Sequence, residues 1–226
     1  MTADPREDIK PPSDARFFIA SGVIGATYVL LILAMLLADT AFTSPSALWQ
    51  ALGSEEIRYS IRLSLISCSL TTVLSLWVAV PIGYLMARYK FPLRNIVDAI
   101  LDIPIVLPPL VIGLSLLILF QTVPGRFIER FFPVTYAIPS VILAQFMVAC
   151  AFAVRTMRVT FDDIDPRWEQ VAMTLVCSRG QAFFQVVLPA SKRGLLTAGT
   201  LAWARSLGEF GPILIFSGAT RMRTEV

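Results

Sequence analysis

The 226-residue chain is 56% hydrophobic and 15% charged, against roughly 25% charged in ordinary soluble domains. With a mean hydropathy of +0.71, a net charge of +3, three cysteines and no histidine, it is not a secreted disulfide scaffold, a nucleic-acid binder or an enzyme on a single anchor. An intramembrane enzyme would need a Ser/His pair, a His/Asp metal set or a repeated acidic motif within the apolar stretches, and the sequence offers none of them.

In chain order, residues 1–16 are polar, with Pro5, Pro11 and Pro12 among mixed charges, and read as a disordered tail. Four uncharged stretches follow: Phe17–Ala38, Leu63–Ala87, Ile103–Gly125 and Phe131–Val154. A hydrocarbon core of about 30 Å needs roughly 20 apolar helical residues, so each is long enough to cross it once. The first is too long for the apolar core of a signal peptide and reads as an uncleaved span. A fifth span is expected at about Leu195–Ser217. The fold class is therefore all-α, a polytopic transmembrane helical bundle of about five spans, with residues 17–226 forming one membrane domain.

The positive-inside rule sets the orientation. With the N-terminus cytoplasmic, the inner segments 1–16, 88–102 and 155–194 carry twelve basic residues and the outer segments five. An odd number of spans leaves the C-terminus outside.

The third stretch contains Pro104, Pro108 and Pro109. Each proline removes a backbone donor and crowds the preceding turn. Carbonyls freed at membrane depth are tolerated against protein or along a water-filled cavity, so these prolines mark either a kink near the surface or a wall of a translocation path. The fifth stretch holds Arg205, Gly208, Glu209, Gly211 and Pro212. Arg205 and Glu209 share a helix face and can neutralise each other; they form either a structural ion pair, a contact with a partner subunit, or a contact with solute. The glycines and Pro212 predict a bend. Arg62, Asp98 and Asp102 stand at span ends, where charged side chains snorkel.

Residues 155–194 form the one long polar connection. Asp165-Pro166 suits a helix start, with the carboxylate capping free N–H groups and proline at the first position. That reading fits better than a metal site built from Asp162, Asp163 and Asp165. Trp168–Leu175 has helix-forming character, Ser178-Arg179-Gly180 breaks it, and Gln181–Leu188 presents a second apolar face ended by Pro189. Two short helices carried between spans make a projecting knob of a kind that can dock in a groove of a soluble partner.

This knob resembles the cytoplasmic EAA loop of binding-protein-dependent ABC transporter permeases, whose pattern is Glu-Ala-Ala, three residues, Gly, nine residues, Ile-x-Leu-Pro. Here it falls on Gln170-Val171-Ala172, Val176 and Val186-Val187-Leu188-Pro189, with Glu169 one place before the usual Glu. Val176 replaces the glycine that permits positive φ in the turn, and Gly180 is expected to take the turn over. Leu101–Pro109 and Ala204–Gly211 resemble the molybdate and sulfate branch of the same permeases, with iron(III) and polyamine permeases sharing much of the pattern.

The resemblance implies a permease of the bacterial inner membrane that works as a homodimer, with a cytoplasmic ATPase dimer and a periplasmic solute-binding protein as partners. It implies coupling to the ATPase through Asp165, Glu169, Gln170, Ala172, Val176, Gly180, Leu188 and Pro189. It places Arg62, Pro104, Pro108, Pro109, Arg205, Gly208, Glu209 and Gly211 along the path. No cofactor is expected in this chain: no Gly-x-x-x-x-Gly-Lys-Ser/Thr loop occurs in it, so ATP belongs to another subunit. The family carries one more span beyond residues 221–226, so the sequence reads as a shortened chain, either a transporting one or a regulatory subunit.

Overall fold

The computed structural model describes residues 14–42, 44–218 and 224, and helices are the regular elements among them. The chain divides into two units, one ending at Ser54 and the next starting at Glu55. The first unit holds α1 (Ala15–Phe42) and α2 (Pro45–Gly53). Of the tail expected over 1–16, residues 1–13 lie outside the described residues, as do Arg221 and Arg223. α1 has 28 residues, about 42 Å of helix at 1.5 Å per residue, which exceeds the hydrocarbon thickness.

The second unit runs α3 (Glu55–Arg88), α4 (Arg94–Val106), α5 (Pro109–Gln121), α6 (Val123–Phe131), α7 (Ile138–Asp162) and α8 (Pro166–Thr174). Then come α9 (Arg179–Ala182), a π-helical turn (Phe183–Val187), α10 (Leu188–Ala190), α11 (Lys192–Leu207) and α12 (Gly211–Phe216). α3 and α7 lie side by side and run parallel, Thr71 facing Gln145 and Gly83 facing Met157. The contact is close because every fourth residue of α3 along the seam is small: Ser67, Thr71, Ser75, Ala79 and Gly83 are all buried. Small residues let helix backbones approach in membranes, where packing rather than hydrophobicity drives association. A Cβ on Gly83 would stand 2.9 Å from the Met157 Cβ, so even alanine crowds that crossing.

α11 runs antiparallel to α7 and completes an apolar core of Ala79, Ala149, Ala153, Met157, Phe161 and Ala198. A second core, formed by Ile112, Leu116, Phe120, Val141, Ile213 and Phe216, joins α5, α7 and α12. Outward-facing Ile66, Val73 and Trp77 of α3 are exposed, which suits a helix whose other side meets lipid.

Among the described residues, three helices are long and apolar enough to cross a membrane, α1, α3 and α7. The expected third span is not one helix. α4 and α5 meet at a bend of 113°, because Leu107 turns extended at the end of α4 and α5 restarts with Pro109 at its first position. Counted as one broken span, they make a fourth. The expected fifth span is also divided. α11 ends at Leu207 and α12 begins at Gly211, so the bend expected there is a break. The fourth stretch begins at Ile138 rather than 131, since α6 already ends at Phe131 and Pro139 sits in the first turn of α7. α7 then continues to Asp162, well into the expected polar loop.

Candidate functional site

The projecting segment after α7 is built by local rules. The Asp165 side chain accepts a hydrogen bond from the Arg167 N–H at 2.9 Å, with Pro166 at the first helical position of α8, as expected of a proline-led helix start. At the start of α9, Ser178 and Gln181 cap each other. The Gln181 N–H donates to Ser178 Oγ at 3.3 Å, and the Ser178 N–H donates to Gln181 Oε1 at 2.8 Å. This reciprocal Ser-x-x-Gln pair is a helix-start signature. Sequence reasoning took the same residues for a break, although the signature was legible.

Between the two helices the turn falls on Val176, at φ 64°. This corrects the expectation that Gly180 would take it over: Gly180 lies inside α9 in ordinary helical backbone. The spacing of the two helices, not the residue's preference, decides where the chain reverses. Leu188 donates its N–H to the Phe183 carbonyl, five residues back. The helix widens into a π turn there because the ring of Pro189 crowds the carbonyl four residues before it.

Glu169 is buried at 8% exposure and faces the C-terminal end of α3. Its carboxylate accepts from the Tyr84 hydroxyl and pairs with Arg88, Nε to Oε2 at 3.4 Å. Arg88 also donates from Nη2 to the Ile164 carbonyl at 2.9 Å, so one guanidinium holds both sides of the turn leading into α8. Tyr84 packs edge-on against Phe183 and Phe161, at centroid distances of 4.7 and 5.8 Å. Arg179 donates to the Tyr89 hydroxyl at 3.2 Å. The knob is thus clamped to α3 by one ion pair, one phenol and an aromatic cluster. Sequence reasoning missed Tyr84 and Arg88; their partner sits about 80 residues away in the chain, so no local signal marks them.

Of the residues assigned to the knob, Glu169 and Ala172 point inward, and Gln170, Gly180 and Pro189 are exposed. Trp168, Val171, Leu175 and Phe184 are exposed too, and Val176 stands 95% exposed at the tip. The tip thus presents exposed apolar side chains, and the base holds a buried ion pair.

Along the broken helices, Arg205 and Glu209 form the expected pair, Nη1 to Oε1 at 2.7 Å, with the Glu209 side chain buried. The Arg205 guanidinium lies 5.6 Å from the Phe152 ring centroid, within cation–π range. The two breaks meet. A Cβ on Gly211 would stand 3.1 Å from the Pro109 Cβ, and one on Gly113 would stand 2.8 Å from the Pro212 Cα and carbonyl oxygen. Pro109 and Gly211 are therefore brought together, Pro108 precedes α5, and Pro104 stays within α4. Gly208 ends α11 and lines a cavity of about 80 Å³ with Ser64, Cys68, Gln145, Leu207, Glu209 and Phe210. Arg62 is exposed on α3 and is not among those lining residues.

Asp98 and Asp102, read as snorkelling charges, instead bind α4 to α7: Asp98 pairs with Arg158 and Asp102 with Arg155 at 2.8 Å. Asp162 lies 3.8 Å from Arg158, so the acidic cluster after α7 serves one ion pair and one cap.

Residues 79–224 match the family model described as binding-protein-dependent transport system inner membrane component. The chain is 30% identical over 201 residues to the sulfate transport system permease protein CysT of Escherichia coli (strain K12), covering 88% of this chain and 73% of that protein. It is 34% identical over 161 residues to the molybdenum transport system permease protein ModB of the same organism, covering 70% of each. It is 34% identical over 156 residues to the molybdate/tungstate transport system permease protein WtpB of Pyrococcus abyssi (strain GE5 / Orsay), covering 69% of this chain and 59% of that protein. The matched segment contains the clamped knob and both broken helices, and the chain belongs to the binding-protein-dependent transport system inner membrane components, the ABC permease family that the loop motif resembles.

Proposed function

We propose that this chain is the membrane-spanning subunit of an ATP-driven importer for a tetrahedral oxyanion, molybdate or tungstate first and sulfate second. The observation that carries the reading is the knob: an exposed apolar tip on a base locked to α3, within the family-matched segment. The oxyanion class is supported by the names of the relatives, which are sulfate, molybdenum and molybdate/tungstate permeases. Two copies of the chain form the path, a periplasmic binding protein delivers the anion, and two cytoplasmic ATPases dock on the knobs. The N-terminus lies in the cytoplasm of a bacterial inner membrane.

In this mechanism, closure of the ATPases displaces the knob. Because Glu169 and Arg88 tie it to α3, and α8 follows directly from α7, the displacement reaches the parallel α3–α7 pair. Packed helices respond as discrete alternatives rather than bending continuously, and the hinges are the breaks at 107–109 and 208–211. Selectivity rests chiefly with the binding protein, and the path offers backbone N–H groups and the charges of Arg62 and Arg205.

The test is uptake of labelled molybdate by vesicles holding this chain with its ATPase and binding protein. ATP-dependent uptake blocked by tungstate and not by sulfate is expected. Competition by sulfate at equal concentration would move the assignment to the sulfate class, and competition by iron(III) alone would overturn the oxyanion reading.

A further inference from the structure

The polar seam around Gln145 is not explained by coupling to an ATPase. Gln145 sits in α7 between apolar neighbours and is buried at 1% exposure, yet its carboxamide reaches two other helices. Oε1 accepts from Thr71 Oγ1 of α3 at 3.2 Å. Nε2 donates to the Ser206 carbonyl of α11 at 3.3 Å and approaches Cys68 Sγ of α3 at 3.5 Å. Ser206 belongs to the last turn before α11 stops, and the small cavity lined by Gly208, Glu209 and Phe210 opens beside the same carboxamide.

Two features set this arrangement apart from ordinary packing. A glutamine buried among apolar groups is costly unless its donors and acceptor are used, and here they are used across helices, on Thr71 of α3 and on the last turn of α11, rather than within α7. The bonds are long, so each is weak, and what they hold is the last turn of α11 just before the helix breaks at Gly208. A Cβ built on Gly208 would meet nothing closer than 3.8 Å, so no neighbouring side chain wedges this residue, and its own N–H donates to the Ala204 carbonyl at 3.3 Å to end α11.

We propose that Gln145 is a positioning residue for transport, a latch that holds the α11–α12 junction against α3 while the path is closed and releases it when the path opens. This rests on the permease reading above. Cys68, wholly buried against Gln145, is a built-in reporter of the latch.

The experiment uses the full complex in vesicles, with Cys150→Ala and Cys177→Ala leaving Cys68 as the one thiol. A small maleimide is applied without nucleotide and after trapping the ATPase with vanadate. Cys68 is expected to be protected in the first state and labelled in the second. Gln145→Leu, close in volume and unable to hydrogen-bond, is expected to label about tenfold faster without nucleotide, the shift that losing both of its long buried hydrogen bonds gives. It should also raise the ATP hydrolysed per anion moved by a similar factor. Thr71→Val removes one bond and leaves Gln145 in place, and about threefold faster labelling is expected for it. If the leucine variant does not assemble, the valine variant decides.

Labelling within twofold of the parent in the variants overturns the latch. So does faster labelling at an unchanged coupling ratio, because that marks loosened packing alone. The labelling comparison needs no transported solute, so it is read separately from the oxyanion assignment, which the uptake competition above decides.

Discussion

Val176 occupies the left-handed region with a β-branched side chain, a conformation that costs roughly 1–2 kcal/mol for an L-residue. It is held there by α8 on one side and the Ser178–Gln181 cap on the other. Val176→Gly should therefore raise the melting temperature of the chain in detergent. The relief is partly offset by the greater freedom of glycine in the unfolded state, which leaves about 0.5–1 kcal/mol; a lower melting temperature would show that the exposed valine contributes contacts the turn needs. Glu169 predicts the opposite direction. Glu169→Ala leaves the Arg88 guanidinium buried without its counter-charge, a change that costs about 3–5 kcal/mol where a buried pair is broken. Uptake should fall, with ATP hydrolysis no longer stimulated by the binding protein, and Glu169→Gln should recover part of both by keeping an acceptor for Tyr84. Unchanged uptake and stimulation in the alanine variant would remove Glu169 from the coupling path. The glutamate was visible in the sequence as an offset motif residue. Its partners were not, because a residue's neighbours across a bundle are set by helix packing and not by spacing along the chain.

At the scale of elements, the broken helices and the ion pairs beside them carry the argument. α4 is tied to α7 through Asp98–Arg158 and Asp102–Arg155, two pairs spaced one helical turn apart. α4 also leads directly into the 113° bend. Replacing Asp98 by Arg, or Arg158 by Asp, sets like charges against each other and should lower uptake about tenfold, within the usual range of coupling between contacting charges. The double exchange should recover most of the loss but not all, since an aspartate at 158 also faces Asp162. Equal uptake in single and double variants would mean that α4 is placed by its apolar contacts alone. The prolines at 104, 108 and 109 announced that this stretch was irregular. What they could not announce was which proline breaks the helix: Pro104 is absorbed within α4, while Pro108 and Pro109 end one helix and start another. The difference is the Leu107 backbone, extended at ψ 139°, as the residue before a proline tends to be.

For the whole molecule, orientation is the property that ties the elements to function, and it is open to direct measurement. Cys177 lies in the projecting loop, Cys68 is buried and Cys150 is half-buried in α7. With Cys68→Ala and Cys150→Ala, a membrane-impermeant maleimide should label the permease in inverted vesicles and not in right-side-out ones. The reverse pattern would place the knob outside and end the ATPase reading. By itself the sequence determined the class, the apolar stretches, the charge asymmetry, the helix cap at Asp165 and the two short helices of the loop. These properties come from composition, local periodicity and backbone stereochemistry, which act over a few residues. Only the tertiary structure decided that two of the five stretches are broken, that their breaks meet at Pro109 and Gly211, and that Tyr84 and Arg88 lock the knob. It also decided that Gln145 joins three segments. Each of these depends on which helix faces are placed together. That is settled by small residues spaced four apart on α3 and by the polar groups that must find partners once water is gone.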